Sequence, residues 1–496
     1  MLRLNSRYDA IYRTLPPSLR DCAGSAYAWW SARKKYGAAF SRWSEFLRES
    51  QWWDAKRLEE YQADRTGELL QFAAEASPFY KEWFLRHGVR PESSDPLEAL
   101  RRLPVIDRSV LREHHGTIKT RFAEDARLTL TTSGTSGASL HVPHTLEALQ
   151  REYAFRWQFY SMGDARRGDR FALFQGHMVV PMSQGRPPYH IRNFVERTIM
   201  FSLYHMSDDT MSHYVKALAE FRPDFIYGYP SGIFVLARFA LSTGLKLPRV
   251  RAVFTASEML HDVQRETIES AFGTRVFQWY GQVETTANLH ECPQHRLHVK
   301  EEYGLLEILD DHGAAVKPGE VGRVIATGWG NKAFPLLRYH TGDNMILAAD
   351  QGCSCGRGGR IIERIMGRDD DFVITPEGRF VGRLDFVFKA VDSVKESQIV
   401  QEDETNITIL VVPRADFCRR DEEVIVQKLQ ERIGLSMKVI VKCVDGIPRS
   451  GGGKFRYVVS KVKFKYGQGT SDSTRATSSS ETDHAPGKSS QNQSQP

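Results

Sequence analysis

Apolar runs alternate with helical patterns between Phe225 and Tyr280, and this alternation constrains the fold more than any other feature of the chain. Phe225-Ile226-Tyr227-Gly228-Tyr229 reads as a strand and Ser231 to Thr243 as a helix. Arg251 to Thr255 reads as a second strand, Asp262 to Phe272 as a helix, and Arg275 to Tyr280 as a third strand. Strands alternating with helices form parallel βαβ units, which bind ligands beyond the carboxyl ends of their strands. Three segments fall there: Tyr229-Pro230-Ser231, Ser257-Glu258 and Tyr280-Gly281-Gln282-Val283-Glu284.

The rest of the chain divides around this core. The first 120 residues read as mostly helical, with Trp29, Trp30, Trp43, Trp52, Trp53 and Trp83 as packing residues. Arg127 to Thr131 alternates polar and apolar residues as a half-buried strand does, and leads into the turn-forming cluster Ser133-Gly134-Thr135-Ser136-Gly137. Leu146 to Tyr160 reads as a helix. After Cys292 the chain becomes strand-rich, with Leu305 to Ile308 and Arg323 to Thr327 as strands. A boundary falls near Gly367-Arg368-Asp369-Asp370. Beyond it lies a small α+β unit with strands Ile407 to Val412 and Lys438 to Val444 and a helix from Glu422 to Ile433. From Gly467 onward Ser, Gln, Thr and Asn dominate, and such a segment buries too little apolar surface to offset its ordering entropy. The expected architecture is α/β. Residues 1–367 form a large N-terminal domain of parallel βαβ sheets with a helical part over 1–120 and a strand-rich subdomain. Residues 368–466 form a small C-terminal domain, and 467–496 a disordered tail.

Composition excludes several classes. With 496 residues and 41% hydrophobic content, the chain has the make-up of a globular protein with more than one domain. No stretch approaches the roughly 18–20 apolar residues that cross a bilayer. Met1 to Arg7 lacks the apolar core of a secretory signal, so the expected location is the cytoplasm. Six cysteines in so long a chain do not make a disulfide framework; clustered ones point to metal or chemistry. The net charge of +6 lies partly in Lys454, Arg456, Lys461, Lys463 and Lys465. Nucleic-acid binding needs a denser basic stripe with interleaved aromatics. A polyanionic small substrate accounts for the charge, as does a solvated basic surface.

Three further segments have the make-up of nucleotide chemistry. Thr131-Thr132-Ser133-Gly134-Thr135-Ser136-Gly137 is a hydroxyl-rich glycine loop whose backbone N–H groups can hold phosphate oxygens. It is not a Walker A loop, since no Gly-Lys-Ser/Thr follows, and alone it reads more readily as a flexible surface turn. In Arg338-Tyr339-His340-Thr341-Gly342-Asp343 a carboxylate beside a glycine turn can accept both hydroxyls of a ribose, or simply satisfy the local backbone. In Pro448 to Arg456 a glycine loop carries Lys454, which can be brought to a phosphate to stabilise a phosphorus transition state, or can be a solvated lysine in a linker.

Taken in order, Ser-Gly-Thr-Ser-Gly, Tyr-Gly-x-x-Glu, Tyr-x-Thr-Gly-Asp, Gly-Arg-Asp-Asp and Pro-x5-Lys resemble the superfamily of acyl-CoA synthetases, adenylation domains and luciferases. Phe334 to Asp343, Cys353-Ser354-Cys355-Gly356-Arg357 and Pro448 to Arg456 are similar to its phenylacetate–CoA ligase and CapK branch, over roughly Leu69 to Lys463. The resemblance implies a role for each matching residue. Ser133, Gly134, Thr135, Ser136 and Gly137 would hold the β- and γ-phosphates of ATP. Ser257 and Glu258 would lie along the adenine, and Tyr280, next to Gly281, would stack on it. Glu284 would help hold Mg²⁺, Asp343 would bind the ribose, and Arg368 would contact ribose or phosphate. Asp370 would be the hinge about which the C-terminal domain rotates, and Lys454 would lie between substrate carboxylate and α-phosphate. Two positions depart from the family pattern. Ala138-Ser139-Leu140-His141 follows the glycine loop where Lys or Thr is frequent, and His340 stands where Arg is usual.

Cys353 and Cys355 flank one residue in a glycine-rich turn, and Cys292 precedes His295 and His298. Tetrahedral zinc takes Cys and His ligands, four in a structural site. Cys292, His298, Cys353 and Cys355 would complete such a site. His298 fits the spacing of the branch better than His295 or His290, and the competing reading is a set of unrelated buried thiols. Cys22, Cys418 and Cys443 read as ordinary thiols.

The expected activity is ATP-dependent, AMP-forming activation of a carboxylic acid as acyl-adenylate, followed by transfer to an acceptor. By resemblance that acceptor is coenzyme A. The alternative is a CapK-like acyl or aminoacyl transferase acting in polysaccharide biosynthesis without coenzyme A. A third reading, a non-catalytic nucleotide or partner binder, sits poorly with intact Glu284, Asp343 and Lys454. Phe174-Gln175-Gly176-His177 and Tyr227-Gly228-Tyr229-Pro230 are the candidate acid pocket, compatible with an aryl acid. The expected partners are small molecules, with a homodimer as candidate assembly.

Overall fold

The computed structural model describes residues 12, 14–124, 126, 128–131, 140–177, 179–181, 183–368, 373–376, 380–381, 384–388, 391, 393–449 and 455–462. Ser133 to Gly137, Asp370, Lys454 and the tail from 467 lie outside them, as does the side chain of Arg368.

The strands in chain order are β1 Leu128–Thr131, β2 His141–His144, β3 Phe171–Gln175, β4 His190–Asn193, β5 Thr198–Ser202, β6 Phe225–Gly228, β7 Ala252–Ala256, β8 Val276–Gly281, β9 Asn288–Glu291 and β10 Leu297–Val299. They continue as β11 Gly304–Leu309, β12 Val321–Gly328, β13 Leu336–Leu347, β14 Ile361–Arg368, β15 Val373–Ile374, β16 Phe380–Val381, β17 Val394–Gln401, β18 Asn406–Pro413, β19 Lys438–Cys443 and β20 Val458–Ser460. A mixed α/β fold results, built on a 12-stranded sheet of order β11-β12-β13-β14-β10-β9-β8-β7-β6-β3-β5-β4. Its central strands β5, β3, β6, β7 and β8 are parallel, and the flanking ones antiparallel. β6 and β7 are buried at every position, as strands covered on both faces must be.

Alternate side chains of these strands serve two cores. Ala172, Phe174, Phe201, Ile226, Val253 and Val276 pack under helices Asp208–Phe221, Pro230–Thr243 and Asp262–Phe272. Phe171, Phe225, Tyr227, Phe254, Phe277 and Trp279 face Phe159 and Tyr160 of helix Leu146–Tyr160. Truncating a ring such as Phe254, with 0% exposure, costs about 3–5 kcal/mol. Strand β3 lies between β5 and β6, so the chain reverses its direction of travel across the sheet there, which opens a crevice at the carboxyl ends.

Seven helices between Pro17 and Ile118 make the N-terminal part helical, as expected. The tryptophans there are only partly the packing residues expected. Trp29, Trp30 and Trp52 are 53%, 47% and 52% exposed. Cations cover them instead: Arg33 lies 4.0 Å over the Trp29 ring, Lys34 3.7 Å over Trp30 and Arg357 4.8 Å over Trp52.

After β14 a separate sheet of order β19-β18-β17-β20 packs against helix Arg419–Ile433 over a core of Ile399, Ile407, Ile409, Val411, Ile425 and Leu429. No described helix is long and apolar enough to cross a membrane.

Candidate functional site

A cavity of about 960 Å³ opens at the carboxyl ends of the parallel strands. Ser257, Glu258, Tyr280, Gly281, Glu284 and Asp343 all line it, so one site gathers residues that are far apart in sequence. Ser257 follows β7 with φ +73°, a left-handed conformation a residue with a Cβ rarely holds unless its surroundings impose it. At the end of β6 a Cβ on Gly228 would lie 2.1 Å from the Phe174 carbonyl oxygen, so only glycine lets β3 and β6 close up beside the crevice.

Asp343 sits where β13 departs from regular pairing with β12, and Gly342 beside it has φ +77°. Such a bulge re-aims side chains, and here the carboxylate enters the cavity. The Tyr280 hydroxyl donates to Asp343 Oδ2 at 2.6 Å, with Gln282 Oε1 at 3.2 Å. Glu284, 8% exposed, accepts from the Tyr339 hydroxyl at 3.2 Å. Arg368 ends β14 and its backbone pairs with Asp343.

Glu258 has a further part that the sequence did not reveal. One oxygen accepts from the backbone N–H of Ser231 at 3.2 Å, at the start of helix Pro230–Thr243, where negative charge is favoured. The other accepts from the N–H of Phe455 at 2.9 Å. Phe455, Arg456, Tyr457 and Val458 line the cavity, so the segment that follows Lys454 closes one side of it.

Of the expected acid-pocket residues, Gln175, His177 and Tyr227 line the cavity. Phe174 does not: it stacks on Phe201 at 4.9 Å on the opposite face of the sheet. Burial depresses His177 to about 4, so its imidazole is neutral at pH 7. Sequence reasoning missed the walls from helices Pro17–Lys35 and Leu146–Tyr160, which supply Tyr27, Lys35, Tyr153 and Arg156. The available signal was polar residues at helical spacing, Glu152, Arg156 and Tyr160, on one side of that helix.

A second constellation lies in the antiparallel half of the sheet. The ligand atoms of Cys292, His298, Cys353 and Cys355 all lie within 4.8 Å of one another. Cys292 Sγ is 3.7 Å from Cys353 Sγ, and Cys355 Sγ is 3.5 Å from His298 Nε2. His298 Nδ1 meets the Gly358 carbonyl at 3.1 Å, which leaves Nε2 free of a proton and turned inward. Burial holds His298 down at about 4, so its imidazole is neutral at pH 7. Backbone N–H groups of Gln294 and Arg357 point at the sulfurs of Cys292 and Cys355 at 3.3 and 3.5 Å. The donor set suits a closed tetrahedral Cys₃His centre. His295 is directed elsewhere, with Nδ1 3.0 Å from Glu291, and His290 is buried among Phe155, Phe159 and Trp279. Cys22, Cys418 and Cys443 are exposed thiols.

Comparison with known proteins follows the same outline. Residues 373–461 match the CapK C-terminal domain. Protein CapK of Staphylococcus aureus is 26% identical over 414 residues, covering 82% of this chain and 90% of that protein. Phenylacetate-coenzyme A ligase of Thermus thermophilus is 26% identical over 461 residues, covering 82% and 97%. The crystal structure of 2-hydroxyisobutyryl-CoA ligase in the postadenylation state, in complex with 2-HIB-AMP, superposes with a TM-score of 0.64 at 19% identity, covering 82% of this chain and 90% of that one. The chain is thus a homologue of Protein CapK and of the phenylacetate-coenzyme A ligases, and it has the mixed α/β fold of the adenylate-forming CoA ligases.

Proposed function

We propose that the chain is an AMP-forming acid–thiol ligase, which activates a carboxylic acid with ATP as acyl-adenylate and passes the acyl group to coenzyme A. The observation that carries this reading is the convergence of Ser257, Tyr280, Glu284 and Asp343 on one cavity at the carboxyl ends of parallel strands. Ser257 and the ring of Tyr280 receive the adenine, and Asp343, oriented by the Tyr280 hydroxyl, accepts from the ribose hydroxyls. Ser133 to Gly137 hold the β- and γ-phosphates, and Arg368 contacts the ribose or a phosphate. Glu284 is a buried carboxylate at the cavity wall, which would suit Mg²⁺, an ion held by one or two carboxylates and the phosphates themselves. When bound, Mg²⁺ offsets phosphate charge. Lys454 stabilises the charge that builds as the carboxylate attacks the α-phosphorus and pyrophosphate leaves. The unit 368–466 then turns about Asp370, withdrawing Lys454 and admitting the thiol. Cys292, His298, Cys353 and Cys355 would hold a zinc ion, which would tie the strand-rich part together in a structural role.

Pyrophosphate release is measured over aryl, alkyl, hydroxy and amino acids, with and without coenzyme A. The reading expects acid-dependent release, thiol-dependent AMP formation and loss of both in Lys454→Ala. Full pyrophosphate release by that variant contradicts the role given to Lys454. The match of 373–461 to the CapK C-terminal domain favours a second reading, in which the acceptor is an amine or a sugar hydroxyl. AMP release that amines stimulate and coenzyme A does not supports that acceptor and rejects the thiol.

A further inference from the structure

The cavity extends beyond the residues that face the nucleotide, and its far part contains a cation that makes no ion pair among the described residues. Helix Leu146–Tyr160 turns Leu149, Glu152, Tyr153, Arg156 and Tyr160 into it along one stripe. The Arg156 guanidinium lies 5.0 Å from the centre of the Tyr153 ring and 5.3 Å from that of Trp279. It is enclosed by protein, and the part of it that is accessible faces the cavity. Its Nε is buried with no acceptor, and among the described residues no carboxylate stands within ion-pair distance. The neighbouring charges are already committed. Lys35 pairs with Glu196 at 2.7 Å, and Glu152 accepts from the Tyr303 hydroxyl while burial pushes it toward the protonated form.

Glu152, one helical turn away, attracts Arg156 without forming an ion pair with it, and two aromatic faces add to that, so the guanidinium keeps donors for a further anion. Arginine presents a fork that matches a carboxylate. We propose that Arg156 determines specificity in the acid pocket and that the acid this chain activates carries a second carboxylate, or an equivalent oxyanion, seated on Arg156. This rests on the adenylation reading and names its substrate class. The aromatic walls of Tyr153, Trp157, Tyr160 and Tyr227 hold the body of the acid between its two charged ends.

The test uses matched acids that differ only in a terminal carboxylate: phenylacetate against 4-carboxyphenylacetate, and hexanoate against adipate. Wild type favours the diacid of a pair in kcat/KM for pyrophosphate release by about 10- to 100-fold, the span of charge-assisted hydrogen bonds. Arg156→Gln collapses that ratio, and Arg156→Lys keeps part of it. Calorimetric binding of each pair without ATP reads the pocket apart from the reaction. Preferential diacid binding without turnover overturns the adenylation reading alone. Equal binding of both members to wild type overturns the assignment of Arg156 alone, as does an Arg156→Gln variant that weakens both members equally. A rise in KM for ATP that is the same with every acid would place Arg156 with the phosphates and also reject the proposal.

Discussion

Replacing Tyr280 by Phe keeps the ring and deletes one hydroxyl. The ring is the part assigned to adenine stacking, so the variant isolates the bond to Asp343, 2.6 Å long. A hydrogen bond to a charged acceptor contributes about 1.5–3 kcal/mol. Asp343 borders a cavity that admits water, which can take the vacated position, so the lower end applies, about 1–1.5 kcal/mol. That converts to a rise of about five- to thirteenfold in KM for ATP. The assay is isotope exchange between pyrophosphate and ATP at saturating acid, with ATP varied, for wild type, Tyr280→Phe, Asp343→Asn and the double variant. If the hydroxyl acts by orienting Asp343, its removal costs little once Asp343 is Asn, which gives a coupling energy of about 1 kcal/mol. Penalties that simply add, or a Tyr280→Phe variant with unchanged KM for ATP, refute this reasoning.

Zinc content of the purified protein is expected at one ion per chain and is expected to vanish in a variant with Cys292, His298, Cys353 and Cys355 replaced; unchanged metal content rejects the centre. Glu258→Gln leaves one oxygen where two backbone N–H groups now bind and costs about 1–2 kcal/mol, read as faster amide exchange over 455–460; unaltered exchange there contradicts the tie to Phe455. His144, 2% exposed, is held by burial at about 4 against an ordinary 6.5. The unfolded chain therefore binds this proton first as pH falls, and stability is lost between pH 6.5 and 4, by up to about 3 kcal/mol. Thermal melts of His144→Gln should show a shallower fall over that window, and an identical slope contradicts the assignment.

Local chemistry explains which parts were legible in sequence. Helices Leu146–Tyr160 and Asp262–Phe272 have the expected ends, and β6, β7 and β8 lie within a residue of expectation, because helical periodicity and buried apolar runs are local signals. The carboxyl ends of those strands then located Ser257, Tyr280 and Glu284 at the cavity. Strands β3 and β5 escaped, being five residues each without clear alternation. β13 also escaped, since its bulge at Gly342 breaks the period that marks a strand. The partners of site residues were not legible at all. Glu258 meets Phe455 across 197 residues, and Tyr280 meets Asp343 across 63. For Arg156 the helical spacing with Glu152 and Tyr160 marks a polar stripe, but what that stripe faces is set only by the sheet and helix Pro17–Lys35. By contrast the meeting of the Cys-x-Cys turn with Cys292 and His298 was readable, because residue type and spacing together marked these four side chains as a candidate cluster.

The central claim is acyl-adenylate formation. The most direct test is to incubate the purified chain with Mg·ATP and a mono- and dicarboxylic acid panel, then quantify the nucleotide products. Acid-dependent pyrophosphate matched by acyl-AMP in the absence of coenzyme A, and by AMP and an acyl thioester once coenzyme A is added, is the predicted result. Formation of ADP and phosphate, or no nucleotide cleavage with any acid by a folded, ATP-binding protein, would contradict it.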